Sequence, residues 1–172
     1  MKVAAFFILA LSLPAVSQHV TDPHASVVDV QSRQAALKAA TDPVLMAAIK
    51  GLRSCVATPQ IAAPAGRMII PKHYLSGSKG PANPAEAVAT CVYSAFEARI
   101  TAGMNQYLAT GSHSESSCAL QQLDIWAQAH ALLDYDRQDS PQAWYQVEWT
   151  LSVAGITDFV LVNDSTLDPA QI

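Results

Sequence analysis

Three side chains late in the chain combine the chemistries needed to hold a sugar ring. Gln142, Tyr145 and Trp149 are an amide, a phenol and an indole separated by three and four residues, so a helix brings them to one side. A phenol or indole ring covers the C–H face of a pyranose, while the amide and the hydroxyl bond to its hydroxyl groups. The same three side chains would also serve as packing residues of a helix buried on two sides. The sequence leaves both readings open.

Other reactive residue types show less pattern. His19, His24, His73, His113 and His130 have no metal-ligand spacing, and neither Cys-x-x-Cys nor His-Glu-x-x-His occurs, so no metal site is expected. His130 falls on an apolar stripe with Leu120, Leu123, Ala127 and Ala131 and is expected in the core. His113-Ser-Glu115 reads as a solvated turn. Asp134, Asp136 and Asp139 form an acidic loop without the glycine and terminal glutamate of a calcium-binding EF-hand.

Of the three cysteines, Cys91 lies beside Val88, Val92 and Ala95 and is expected as a buried thiol. Cys55 sits in an irregular Pro/Ala-rich stretch and Cys118 at a helix start, which makes them the better pair for a disulfide. Closing that loop would favour the folded state by about 4 kcal/mol in the chain-entropy model.

The elements that must position these residues are helical. Asn83-Pro84-Ala-Glu86 is a helix start with an N-cap, a first-turn proline and an acidic third position. Apolar residues then recur at helical spacing through Val88, Val92, Phe96, Ile100, Met104 and Leu108, until Gly111 stops the run. A second helix is predicted from about Ser116 to Leu133, and a third from Ser140-Pro141 to about Leu161. On the third, Trp144, Val147, Leu151, Ala154 and Gly155 make one face. Gln142, Tyr145, Trp149, Val153, Ile156 and Val160 make the other. Such a helix is expected to be buried on both.

Upstream, residues 27–40 and 43–52 are helix-forming but lack a strong apolar stripe, so they are expected to be mobile. Residues 54–66 read as a linker, 67–72 as an extended piece, and 74–81 as a polar, glycine-containing loop of the kind that lies over a site. No β-alternation or internal repeat is present, and the expected class is all-α.

The 172 residues are 51% apolar and 14% charged with a net charge of −4. That excludes a disordered chain and gives no basic footprint for nucleic acid. The same charge slows encounter with an acidic polymer unless a local basic patch offsets it. Met1-Lys2, the short apolar run over residues 3–13 and Ala15-Val-Ser17 read as a signal peptide over residues 1–17. The expected product is exported, periplasmic or secreted, with no membrane association after cleavage. Asp168-Pro169 reads as the first turn of a further helix, so the chain is expected to be short relative to its fold.

Four stretches, taken in order, carry a family resemblance. They are Ser54-Cys55, Pro71-Lys72-x-Tyr74-x-Ser-Gly-Ser, Cys118-Ala-Leu-x-x-Leu-x-x-Trp126-Ala and Gln142-x-x-Tyr145-x-x-x-Trp149-x-Leu. Together they resemble the N-terminal half of alginate lyases of polysaccharide lyase family 5, over residues 54–172, with residues 18–53 as a polar helical leader. The resemblance implies a partial (α/α) barrel of antiparallel helices that works without a metal or other cofactor. It implies an acidic polysaccharide, polymannuronate, as partner, cleaved by β-elimination to leave an unsaturated uronic acid.

By the same resemblance Lys72 lies near the substrate carboxylates as their candidate neutraliser, and Tyr74 sits on a lid loop. Gln142, Tyr145 and Trp149 line the sugar cleft, and Cys55 pairs with Cys118. His73 and a longer loop depart from the family's Lys–Tyr spacing. The family's Asn-Asn-His segment, and its later arginine and tyrosine, have no counterpart here. Elimination requires a base at the C5 proton, an acid at the leaving oxygen and neutralisation of the adjacent carboxylate. Binding is therefore expected more than full turnover, and the alternative is a non-catalytic exported carbohydrate-binding or interaction module.

Overall fold

The computed structural model describes residues 28–162; the expected signal peptide and the helix start at Asp168-Pro169 lie outside the described residues. Five helices follow in order: α1 (Val30–Lys38), α2 (Pro43–Lys50), α3 (Pro84–Thr110), α4 (His113–Gln128) and α5 (Pro141–Val162). Among the described residues there is no β-strand, only isolated bridges between Met68 and Tyr135 and between Tyr74 and Ala82. The class is all-α, as expected.

The helix ends follow the local chemistry. Asp29 and Asp42 accept the N–H groups of Ser32 and Leu45 at the starts of α1 and α2, and Asn83 accepts that of Ala85 at the start of α3. Gly111 closes α3 in the left-handed region at φ 74°, its N–H bonded to the Tyr107 carbonyl. The link between α3 and α4 is two residues long, which folds α4 back along α3. α4 ends at Gln128, short of the expected Leu133, and His130 follows in a left-handed turn at φ 52°.

α3 is the hub, packed against α1, α4 and α5. Its contact with α4 is close: a Cβ on Gly103 would stand 2.6 Å from the Glu115 carbonyl oxygen and 2.9 Å from the Ala119 Cβ. The core runs through Phe96, Ile100 and Tyr107 on α3, Ala119 and Trp126 on α4, and Val160 and Leu161 on α5. Trp126 stacks on Phe96 with centroids 3.8 Å apart and meets Tyr93 edge-on at 5.9 Å. Burial pushes the Tyr93 phenol above its ordinary pKa.

Several expectations need correction. α1 is docked, with Val30 buried and the Gln34 side-chain amide donating to the Tyr107 carbonyl at 3.0 Å. Cys91 is exposed, because the buried stripe of α3 runs through Tyr93, Phe96 and Ile100 and leaves Cys91 and Val88 off it. His130 is exposed, since α4 has ended before it. Glu115 is buried in the first turn of α4, not solvated.

The expected linker is a strap. Glu115 accepts the Cys55 N–H at 2.7 Å and the Ser54 hydroxyl. Arg99 donates to the carbonyls of Cys55 and Pro59 at 2.7 and 3.0 Å, and to both oxygens of Thr58. Burial lowers the Arg99 pKa, and the Glu115 charge works against that shift. The Gln122 amide pairs with both the N–H and the carbonyl of Ile61 at 2.9 Å, and the Trp126 indole N–H adds a second bond to that carbonyl. Cys55 and Cys118 form the expected disulfide, with Cα atoms 6.0 Å apart. Side chains thus satisfy a backbone that has no secondary structure of its own.

α5 also differs from expectation. Its buried stripe is Ala143, Gln146, Thr150, Thr157 and Leu161, lying between the two expected apolar faces. On those faces Tyr145, Trp149, Leu151 and Ile156 are exposed, while Val147 and Val160 at their edges are buried. The physical reason is Glu97 of α3. Its carboxylate accepts the Thr150 hydroxyl at 2.7 Å and the Gln146 amide at 3.2 Å, and these bonds turn the polar stripe of α5 toward α3.

Candidate functional site

The start of α5 carries Gln142, Tyr145 and Trp149, and it is tied to the segment that leads to Lys72. Ser140, the residue before the helix, donates its hydroxyl to the Ile70 carbonyl and accepts the Ile70 N–H, both at 2.9 Å. The Met68 N–H bonds the Asp134 carbonyl at 2.8 Å. The extended piece 67–72 is thereby tied to the α4–α5 connection, and Lys72 follows its last tether by two residues.

From Lys72 the chain enters a loop pinched at its base. The Asn83 side-chain amide donates to the Lys72 carbonyl at 2.9 Å, and the Asn83 N–H to the His73 carbonyl at 2.7 Å. The Leu75 N–H bonds the Pro81 carbonyl at 3.0 Å. His73 Nδ1 lies 3.4 Å from Glu86 and its ring meets Tyr74 edge-on at 4.5 Å. Lys72 and Tyr74 are both exposed at this base. The structure therefore fastens the loop between the starts of α3 and α5.

On α5 itself Gln142 is half-buried, Tyr145 is 45% exposed and Trp149 is 62% exposed. Behind them Gln146 donates to the Thr150 hydroxyl oxygen at 3.0 Å, and both engage Glu97. This buried network fixes the rotation of α5, so the phenol and indole are held outward by the packing beneath them. The face can stack a flat apolar surface and offer an amide and a hydroxyl at its edges.

The sequence reading missed Arg137. Its guanidinium carbon lies 4.2 Å from the centroid of the Trp144 ring, and that ring is 5.0 Å from Tyr145. Arg137 precedes the helix that carries Trp144, so no helical period could have linked the two. Ser140 and Glu97 were also missed as positioning residues. Ser140 was legible only as a helix start, and Glu97 lies a whole helix away in sequence.

A concavity of about 830 Å³ lies between α4 and α5, lined by Leu120, Leu123, Ala127, Leu151, Gly155 and Asp158. Burial raises the Asp158 carboxyl above its ordinary pKa. This groove is mostly apolar and does not include Gln142, Tyr145 or Trp149. Among the described residues no group of His, Cys, Asp and Glu gathers as metal ligands, and no helix is long and apolar enough to cross a membrane.

Solved structures agree with this architecture. Alginate lyase A1-III from Sphingomonas species A1 matches with 38% identity and a TM-score of 0.73, over 88% of this chain and 43% of that one. A histidine-to-alanine variant of the same lyase, complexed with tetrasaccharide, matches at 37% identity with a TM-score of 0.80, over 93% and 45%. A tyrosine-to-phenylalanine variant, also complexed with tetrasaccharide, matches at 38% identity with a TM-score of 0.78. No protein-family model and no curated protein matches the chain. By fold and by sequence this chain is similar to the alginate lyases it matches, and it spans a little under half of their length.

Proposed function

We propose that this chain holds an acidic polysaccharide of the polyuronate class on the outer face of α5, within an alginate-lyase-type fold. A sugar stacks on Tyr145 and Trp149, Gln142 bonds its hydroxyls, and Lys72 and Tyr74 approach from the pinched loop. The observation that carries this reading is the exposure of two large aromatic rings on a helix whose rotation is fixed from behind. Rings needed only for packing would have turned inward, where each would gain burial. Two matched lyase structures contain tetrasaccharide, which supports the same class of ligand here.

The chemistry proposed for the whole fold is β-elimination. The C5 proton leaves to a base, the electron pair forms the C4=C5 double bond, and the glycosidic oxygen departs with a proton from an acid. The adjacent carboxylate must be neutralised as negative charge develops. Lys72 suits that last role. Tyr145 is the phenol of this face and Tyr74 that of the pinched loop, and the 172 residues hold no Asn-Asn-His segment. The chain's own share is accordingly binding and orientation. Export to the periplasm or medium, through residues 1–17, is part of the proposal.

The test is calorimetric titration with a mannuronate oligomer, alongside the ultraviolet absorbance of the unsaturated product. We expect binding that Trp149→Ala abolishes or weakens at least tenfold, more than Lys72→Ala does, and no sustained product from this chain alone. Binding indifferent to Trp149 would overturn the face. Sustained turnover would overturn the division of labour. Binding without turnover is also what a non-catalytic carbohydrate-binding module would give.

A further inference from the structure

A polyanion approaching a chain of net charge −4 is repelled at long range, so a polyuronate needs cations that no protein acid already holds. Arg67 is engaged, with Asp134 at 3.3 Å and Asp139 at 3.6 Å. Arg99 is engaged with the strap carbonyls. Asp136 accepts the Gln138 N–H at 2.8 Å. Arg137, in the midst of this acidic loop, forms no ion pair among the described residues.

Its one described partner is the Trp144 ring, 4.2 Å away. An indole holds a cation through its π face and accepts no hydrogen bond in the guanidinium plane, so the forked N–H donors remain for a carboxylate. Trp144 in turn touches Tyr145. A free cation, an indole and the exposed phenol thus form one continuous run. The guanidinium lies no farther from the Tyr145 ring than the two separations laid end to end.

We infer that Arg137 is the carboxylate anchor of this face. It pairs with the C5 carboxylate of a uronate residue next to the one stacked on Tyr145 and Trp149, and it makes the face selective for polyuronates over neutral glycans. The inference rests on the saccharide reading above and names the group that sets its specificity. It also answers the charge objection, since the acids nearest Arg137 in sequence are bonded to other partners.

The experiment titrates a mannuronate oligomer and its carboxyl-reduced, neutral counterpart into the full chain and into Arg137→Ala, Arg137→Lys and Trp149→Ala. We expect Arg137→Ala to weaken the uronate oligomer roughly tenfold, as loss of a charge-assisted pair should, and to flatten its salt dependence. Arg137→Lys should restore part of the affinity, and the neutral oligomer should be indifferent to Arg137. If Trp149→Ala loses the uronate oligomer while Arg137→Ala keeps it, the Arg137 assignment fails alone. Equal weakening of both oligomers by Arg137→Ala makes the residue structural and also overturns it. If the unaltered chain binds neither oligomer, the saccharide reading fails and this inference goes with it.

Discussion

Two aromatic groups in this molecule use similar side chains to opposite ends. Tyr93, Phe96 and Trp126 are 4%, 1% and 3% exposed, whereas Tyr145 and Trp149 are 45% and 62% exposed. Both groups ride on helices that pack on one another, so composition and spacing do not separate them. The difference is what lies across each. Over Trp126 runs the strap of residues 54–66, whose carbonyl at Ile61 takes the indole N–H and whose N–H at Ile61 is satisfied by Gln122. Over Tyr145 and Trp149 no described segment is tied down in this way. An aromatic helix face is sealed only where an irregular segment can cross it with its backbone groups satisfied.

The largest expected effect breaks the sealed group. Trp126→Ala removes a stacked ring and orphans part of the strap, and it should cost about 3–5 kcal/mol by urea unfolding. Trp149→Ala should change stability by no more than about 0.5 kcal/mol, while removing saccharide binding. Similar losses from the two would erase the distinction. Gln122→Ala comes next, at about 1–3 kcal/mol, because it leaves the Ile61 N–H without its partner. Proteolysis within residues 54–66 should accelerate in that variant. Unchanged cleavage would mean that the disulfide and Arg99 hold the strap unaided.

Much of the frame was legible and much of the site was not, for physical reasons. The starts of α3 and α5 follow from Asn83-Pro84 and Ser140-Pro141, and the end of α3 from Gly111, because caps are local. The strap and the extended piece after it were not legible, because Glu115, Gln122 and Ser140 bond them from 60 to 70 residues away. Read locally, a glutamate in a first turn and a glutamine on a helix look solvated. The rotation of α5 was misjudged for a related reason. Apolar residues lie on both flanks of that helix, and the polar stripe between them is buried because Glu97 meets it. The outward position of Tyr145 and Trp149 goes with that carboxylate and with the core contacts of Ala143, Val147, Val160 and Leu161, partners that a helical wheel of α5 does not contain.

Gly103→Ala tests the sealed side at a single atom. The added methyl would stand 2.6 Å from the Glu115 carbonyl oxygen, 2.9 Å from the Ala119 Cβ and 3.1 Å from the Cys55 Cβ. Two of those neighbours belong to α4 and the third to the disulfide, so none is the free end of a flexible side chain. Overpacking of this kind should outweigh alanine's helix preference and leave a net loss of about 1–2 kcal/mol.

Gly155→Ala is the smallest effect and the sharpest contrast. Gly155 is also a mid-helix glycine, but a Cβ there meets nothing within 4 Å. It lines the open groove between α4 and α5, where a methyl enters solvent-filled space. Only the backbone term remains, and it favours alanine, so this variant should gain about 0.5–1 kcal/mol in urea unfolding. The two glycines make the same exchange with opposite sign, and the sign reports whether anything packs across the helix. A loss at Gly155 comparable to that at Gly103 would mean that this flank is covered in solution, and cover by a second copy of the chain has its own signature. The unfolding midpoint would then rise with protein concentration.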